Sequence, residues 1–150
     1  MELSLFVYGS LRPGKCNYDQ LSAAVVGCAT VLWPGQMRLR PEGYPALVLP
    51  AKWPVRLASP YDWTYPPDSV PEGSGMLQVE GEVLRLHDSP QLRRQLDDFE
   101  GFTPQQRDYL RVACAWQGGW VWTYVAPEDR EDWPLIERWP PDDQPIAPWR

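Results

Sequence analysis

The stretch Leu3–Gly14, with the sequence LSLFVYGSLRPG, begins as an apolar strand and ends as a turn. In its first half, aliphatic side chains alternate with serine and aromatic side chains, a pattern typical of a largely buried strand. The strand is broken at Gly9-Ser10, and Pro13-Gly14 ends the turn. A buried strand that runs into Gly-Ser-Leu-Arg presents successive backbone N–H groups. Where the backbone curves, these groups can form a concavity that holds an anion. An ordinary strand-to-loop turn is the alternative.

Length and composition indicate one globular domain. The chain has 150 residues, of which 43% are hydrophobic and 23% are charged, so it can bury a sizeable core. No apolar run approaches the roughly 18 residues of a membrane span. The N-terminus enters a strand directly, without the basic and apolar regions of a signal peptide. We therefore expect a cytoplasmic protein.

Histidine, cysteine and charge exclude several kinds of site. The single histidine, His87, leaves little basis for a histidine metal site or a Ser-His triad. The three cysteines form no CxxC or Cys/His cluster, so we expect reduced, structural thiols. The net charge is −6, and the acidic excess lies wholly in the second half of the chain. An acidic chain without a basic stripe is a poor candidate for nucleic acid or membrane binding, so neither partner is expected.

The order of the predicted elements indicates an α+β domain. A short helix over Tyr18–Ala24, capped by Asn17, follows the first strand, and a second helix begins at the N-cap Ser89 and ends at Gly101. Gly81 is a candidate β-bulge within its strand. The predicted strands are Val25–Leu32, Gln36–Arg40, Ala46–Leu49, Leu77–Leu86, Tyr109–Trp116 and Trp120–Val125. Without a regular βαβ alternation, these elements favour a mixed, barrel-like sheet.

Two proline-rich segments lie outside this pattern. Residues 50–74 are predicted to form a long structured loop. Residues 127–150 are predicted to be an acidic, proline- and tryptophan-rich extension that packs on the domain or is partly ordered. The domain itself is expected to span residues 1–126, and no pattern predicts the oligomeric state.

The second predicted helix places one carboxylate beside its apolar stripe. At about 100° per residue, Leu92, Leu96 and Phe99 form a buried face. Glu100 lies at the edge of this face, four residues after Leu96. Burial and the negative end of the helix dipole both raise the pKa of a carboxyl group. Such a group can accept and return a proton near neutral pH.

The neighbouring charges leave alternatives for this helix end. Asp97 and Asp98 point away from the stripe and are expected to be solvated. Glu100 either faces the core, or frays outward, or pairs with Arg107 or Arg111.

Several short blocks stand in a fixed order along the chain. They are Tyr8–Gly14 with Asn17 and Leu21, Gly43–Ala46, Gly81–Val83, Leu96–Gly101 and Tyr109–Arg111. Together they resemble the gamma-glutamylcyclotransferase-like family, in particular its small gamma-glutamylamine cyclotransferase-type members. Each block is weak by itself, but in order they cover roughly residues 3–125.

The resemblance implies a small mixed β-barrel flanked by short helices, with a cavity at one end. It implies that Glu100 is the catalytic acid/base and that the loop after the first strand holds the α-carboxylate of a substrate. The substrate-binding candidates are Tyr8, Gly9, Ser10, Leu11, Tyr109 and Tyr44. For Tyr109 and Tyr44, a core or turn aromatic is the alternative.

Three further roles for polar side chains rank below these. Ser10 has no histidine placed to activate it as a nucleophile. Arg12 either attracts anionic substrates or is an ordinary exposed loop arginine, and Glu82 is a second acid/base candidate.

The implied activity is the release of 5-oxoproline and an amine from a small γ-glutamyl compound. The substrate's own α-amine attacks its γ-carbonyl, so the reaction needs no cofactor, metal or protein nucleophile, and one carboxyl group suffices for both proton transfers. Two alternatives stay open: a non-catalytic protein that binds small carboxylates, and a biosynthetic variant that transfers a γ-glutamyl acyl group. Residues 50–74 and 127–150 can cover the cavity mouth, so the leaving group is not predicted.

Overall fold

Strands make up most of the fold. The structure, a computed structural model, describes residues 2–128 and 130–140. The strands are β1 (Glu2–Val7), β2 (Val25–Pro34), β3 (Gln36–Leu39), β4 (Pro45–Val48), β5 (Val55–Leu57), β6 (Leu77–His87), β7 (Phe102–Thr103), β8 (Gln106–Arg107), β9 (Leu110–Trp116), β10 (Gly119–Val125) and β11 (Leu135–Ile136). The helices are α1 (Pro90–Phe99) and the 3-10 turns Tyr18–Gln20 and Ser22–Ala24. None of these helices is long and apolar enough to cross a membrane.

Strand β1 lies inside a six-stranded sheet with the order β2-β6-β1-β10-β9-β5. It runs antiparallel to β6 and parallel to β10, and Leu5 stands opposite Leu84 and Trp122. The aliphatic side chains of β1 join one hydrophobic cluster, whereas Phe6 joins another. The prediction of a buried strand is confirmed, because β1 has apolar side chains packed on both of its faces.

The α+β class is confirmed, but the predicted barrel is not closed. In the part of the chain that the structure describes, β2 and β5 are the edges of the six-stranded sheet. Strand β5 has only three residues, which pair with β9, and it does not reach β2 to complete a cylinder. Strands β11, β3 and β4 form a separate sheet, and β7 pairs with β8.

Helix α1 begins and ends where the sequence predicts. Ser89 Oγ accepts a hydrogen bond from the Leu92 N–H at 3.0 Å. At the other end, the Glu100 N–H donates to the Leu96 carbonyl at 3.0 Å, and Gly101 has a left-handed φ of 66°. Leu92 and Leu96 are buried, so the predicted stripe is the face that packs on the core.

The helix predicted for Tyr18–Ala24 is instead a pair of 3-10 turns. The Leu21 N–H donates to the Tyr18 carbonyl, and the Ala24 N–H donates to the Leu21 carbonyl. The predicted cap, Asn17, makes no side-chain cap bond. So short a segment does not offset the cost of nucleating an α-helix, and buried Leu21 fixes the chain by packing.

Gly81 is paired in register with Val31, so the predicted bulge at this position is wrong. A Cβ atom there would lie 2.3 Å from the Val7 carbonyl oxygen, and the close approach of β1 therefore requires glycine. The irregular pairing lies near the two ends of β2 instead. The predicted loop 50–74 contains one short strand, β5.

The described part of the C-terminal segment packs against the β3–β4 hairpin. Strand β11 pairs with β3, and both Trp133 and Trp139 are buried. The rest of the predicted extension, including Asp129 and residues 141–150, lies outside the described residues. The domain boundary at residue 126 therefore stays a prediction.

Candidate active site

A cleft opens where β1 ends. It is small, with about 340 Å³ of empty space when the open mouth is counted. The lining residues are Phe6, Val7, Tyr8, Gly9, Ser10, Leu11, Pro45, Glu100, Tyr109 and Tyr124. The lining thus combines aromatic and aliphatic side chains with one carboxylate, that of Glu100, and contains no basic side chain.

The Tyr8 side chain ties three strands together behind the cleft. Its hydroxyl donates to the Tyr124 carbonyl at 2.7 Å and accepts from the Leu47 N–H at 3.2 Å. Burial raises the pKa of Tyr8 well above its ordinary 10.0, with smaller contributions from Tyr109 and Glu100. The hydroxyl is therefore neutral and engaged by backbone groups, and the substrate-binding role of Tyr8 stays a prediction.

Two contacts fix the loop that follows β1. A Cβ atom on Gly9 would lie 2.9 Å from Pro45 Cγ, so glycine allows the loop to pass close to Pro45. Arg12 binds Glu82 with two hydrogen bonds, Nε to Oε1 at 2.7 Å and Nη2 to Oε2 at 2.9 Å, which raise the pKa of Arg12. Neither Arg12 nor Glu82 lines the cleft, and their charges compensate each other.

The same loop leaves backbone donors for a ligand. Across residues 2–128 and 130–140, the N–H groups of Ser10 and Leu11 donate no hydrogen bond to another protein group. The Ser10 carbonyl, in contrast, accepts from the Asn17 N–H at 2.9 Å, which fixes the course of the loop. Adjacent backbone N–H groups without a protein acceptor can bind an anionic oxygen.

Glu100 reaches the cleft from the end of α1. The residue is 6% exposed, so the predicted position against the core is confirmed. It is the C-cap of the helix, and the chain leaves through Gly101, where a Cβ atom would lie 2.4 Å from Asp108 Oδ2. The glycine therefore allows the sharp exit that leaves Glu100 at the cleft. Its role as acid/base stays a prediction.

The other two predicted tyrosines take different positions. Tyr109 lines the cleft, but its hydroxyl donates to the Pro45 carbonyl at 2.7 Å and so shapes the cleft wall. Tyr44 lies in the turn between β3 and β4, half-buried against the hydrophobic cluster, and does not line the cleft. The predicted residues that the cleft brings together are Tyr8, Gly9, Ser10, Leu11, Tyr109 and Glu100.

Sequence reasoning missed a buried ion pair behind the cleft. Asp97 and Arg111 are fully buried and share two hydrogen bonds, Nε to Oδ1 at 2.9 Å and Nη2 to Oδ2 at 3.0 Å. The prediction that Asp97 is solvated is therefore wrong, because part of segment 50–74 covers this face of α1: Trp63 donates to Asp97 Oδ2 at 3.2 Å. The available indication was Arg111 itself, since a charge within an apolar strand needs a buried partner.

This ion pair also fixes a residue of the cleft. The Tyr124 hydroxyl donates to Asp97 Oδ1 at 2.8 Å. Burial and the charge of Asp97 raise the pKa of Tyr124 well above 10.0, so this hydroxyl stays protonated. The guanidinium carbon of Arg111 lies 3.9 Å from the centre of the Trp63 ring and 4.6 Å from the centre of the Trp122 ring. These contacts complete a rigid support for the cleft.

Fold and site together define a class of protein. It is a mixed-sheet α+β protein in which a Gly-Ser loop after the first strand and a buried glutamate at a helix end line the same small-ligand cleft.

Comparison with known proteins gives the family. The family model described as "Gamma-glutamyl cyclotransferase, AIG2-like" matches residues 5–59 and 52–141, and the chain belongs to this family. Among solved structures, the chain is similar to the crystal structure of an AIG2-like protein from Mus musculus. The two are 22% identical over 92% of this chain and 88% of that chain, with a TM-score of 0.53, which shows a shared fold. No curated protein matches the chain. Membership of this family suggests a cyclotransferase-like function.

Proposed function

We propose that this protein is an enzyme that cyclises a small γ-glutamyl compound and releases 5-oxoproline and an amine. One observation carries the proposal: Glu100 and the backbone of Gly9–Leu11 line the same cleft. Cyclisation needs a group that moves protons and donors that hold the substrate, and the lining of the cleft contains candidates for both.

The loop after β1 is the proposed binding site for the substrate α-carboxylate. The N–H groups of Ser10 and Leu11 have no acceptor among the described residues, and within those residues the lining of the cleft has no basic side chain that would bind the carboxylate instead. Anchored there, the γ-glutamyl chain can curl so that its α-amine approaches its own γ-carbonyl. Holding the chain in this conformation provides the entropic part of the rate enhancement.

Glu100 is the proposed acid/base. Its carboxylate takes a proton from the α-ammonium group, and the freed amine nitrogen attacks the γ-carbonyl carbon to form the five-membered ring. The Glu100 carboxylic acid gives this proton to the leaving nitrogen as the bond between that nitrogen and the γ-carbon breaks. The ring nitrogen then gives up its second proton through the Glu100 carboxylate to the released amine, so that the products are 5-oxoproline and the protonated amine. The other buried glutamate, Glu82, is bound by Arg12 outside the cleft and has no part in this scheme.

A product assay tests this proposal. The wild-type protein is incubated with a panel of γ-glutamyl dipeptides and γ-glutamylamines, and 5-oxoproline is quantified over time. Formation of 5-oxoproline with release of an equal amount of amine supports the proposal. Thermal stabilisation by small carboxylates without any product would replace it with a binding role, and γ-glutamyl transfer to an added amine without 5-oxoproline would replace it with acyl transfer.

A further inference from the structure

The C-terminal segment 130–140 packs on Arg40 through Trp133, and Arg40 in turn packs on Tyr109 in the wall of the cleft. We infer that Arg40 and Trp133 are positioning residues for the reaction, because they hold the cleft residue Tyr109 in place. The inference rests on the proposed function for its kinetic consequence, while its structural content is independent of that function.

The β3–β4 hairpin lies between the C-terminal segment and the cleft. On one side, the Leu39 N–H donates to the Pro134 carbonyl at 2.8 Å, and Trp139 Nε1 donates to the Gly43 carbonyl at 2.8 Å. On the other side, Pro45 lines the cleft, and its carbonyl accepts a hydrogen bond from the Tyr109 hydroxyl. Any displacement of this hairpin therefore moves one wall of the cleft.

Arg40 links the two sides. Its guanidinium carbon lies 4.9 Å from the centre of the Tyr109 ring and 5.3 Å from the centre of the Trp133 ring. Its Nη1 donates to the Asp108 carbonyl at 2.6 Å, so it also holds the backbone immediately before Tyr109. Its Nε pairs with Glu42 at 3.1 Å. Arg40 is thus fixed by the hairpin, the C-terminal segment and the start of β9 together.

The consequence is a chain of contacts that begins outside the cleft and ends in its wall. Trp133 covers Arg40, Arg40 orients Tyr109, and the Tyr109 hydroxyl sets the position of Pro45 against the loop at Gly9. A shift of a few tenths of an ångström at Arg40 is therefore expected to change the width of the cleft between Pro45 and Gly9.

The chain contains a matched control for this arginine. Arg56 lies 5.4 Å from the Trp120 ring, pairs with Asp68 at 3.2 Å and donates to the Val55 carbonyl at 3.0 Å. It makes the same three kinds of contact as Arg40 on the edge strand β5, and it does not line the cleft.

Steady-state kinetics and urea unfolding of Arg40→Met and Arg56→Met test the inference. Arg40→Met is expected to lower kcat/KM for 5-oxoproline release on the order of tenfold, because misplacement of a wall residue disturbs substrate orientation. Arg56→Met is expected to change it by less than about twofold and to shift the unfolding midpoint less, because its side chain is 44% exposed against 14% for Arg40. In a Tyr109→Phe background, Arg40→Met should cost clearly less than in the wild type, since both changes act on the position of Pro45. Equal losses in the two arginine variants would overturn the inference.

Amide hydrogen exchange gives a readout that does not depend on turnover. Exchange of residues 43–47, where the Gly43 and Leu47 N–H groups are hydrogen-bonded, should become faster in Arg40→Met and in Trp133→Leu, but not in Arg56→Met. Unchanged exchange of these residues in both variants would refute the positioning role even if the enzyme is active. If the wild type makes no 5-oxoproline, the proposed function fails, and the exchange experiment alone decides whether Arg40 holds the cleft wall.

Discussion

Two acidic residues near the C-terminal end of α1 lie in different surroundings. Asp97 is enclosed by Arg111, Trp63 and Tyr124, so its charge is neutralised and its oxygens are occupied. Glu100, one turn further on, lines the cleft. The first belongs to a buried ion pair, and the second is the proposed acid/base.

Asp97→Asn should destabilise the protein strongly. The substitution keeps the shape of the side chain but leaves the Arg111 guanidinium buried without its counter-charge, which costs about 3–5 kcal/mol. Urea unfolding measures the loss. The control is Asp98→Asn, which changes an exposed carboxylate on the same helix. We expect it to lower the free energy of unfolding by less than about 1 kcal/mol. Similar unfolding midpoints for the two variants would contradict the assignment.

The Tyr8 hydroxyl should make stability depend on alkaline pH. The pKa of Tyr8 in the folded protein is raised above 10.0, so the unfolded chain ionises first as the pH rises. The contribution of Tyr8 to the free energy of unfolding is therefore complete below pH 10.0 and is lost as the pH rises further. Unfolding free energy should therefore fall more steeply above pH 10.0 for the wild type than for Tyr8→Phe. At neutral pH the variant should lose about 1–3 kcal/mol, since the Leu47 N–H and the Tyr124 carbonyl lose a partner. Parallel curves of unfolding free energy against pH for the wild type and Tyr8→Phe would refute this prediction.

At the scale of elements, the exit from α1 determines where Glu100 lies. Gly101→Ala should destabilise the protein by more than the roughly 1–2 kcal/mol of a left-handed backbone, because its Cβ would also meet Asp108. It should also lower 5-oxoproline release by moving Glu100. Gly118→Ala is the control, since Gly118 has a φ of 80° but nothing within 4 Å of an added Cβ. Equal effects of the two variants on stability and activity would contradict the account.

The elements that the sequence predicts correctly are those with local determinants. Ser89 and Gly101 mark the two ends of α1, and the alternation of Leu3–Val7 marks β1. The 3-10 turns near Leu21 and the burial of Asp97 could not be predicted in this way. Both depend on residues distant in the chain, such as Trp63 against α1, and a helical projection contains no information on what covers its polar face.

At the scale of the whole molecule, the reactivity of the three cysteines tests which strands are buried. Cys16 and Cys28 are exposed, whereas Cys114 is buried and has a pKa of about 12, mainly because of desolvation. A thiol reagent at pH 8 should therefore modify two cysteines in the folded protein and the third only in denaturant. Rapid modification of Cys114 in the native state would show that β9 is not buried as described.

The open sheet and the position of the C-terminal segment are also properties of the whole molecule. The pairing of β11 with β3 joins residues about a hundred positions apart, and no local pattern in Leu135–Ile136 indicates that partner. The residues of the candidate site were largely predictable, because the loop after β1 and the end of α1 each have local sequence features. The support behind them, Asp97 and Arg40, was not.

The most direct test of the central claim is the turnover of Glu100→Gln at saturating substrate, with product binding measured in parallel. Loss of the proton-transferring carboxyl group should lower kcat at least about 100-fold. The affinity for 5-oxoproline should change by less than about threefold, because the proposed binding site is the loop of Ser10 and Leu11. Asp98→Asn, on the same helix and outside the cleft, should retain wild-type turnover. Turnover of Glu100→Gln at the wild-type rate would contradict the account.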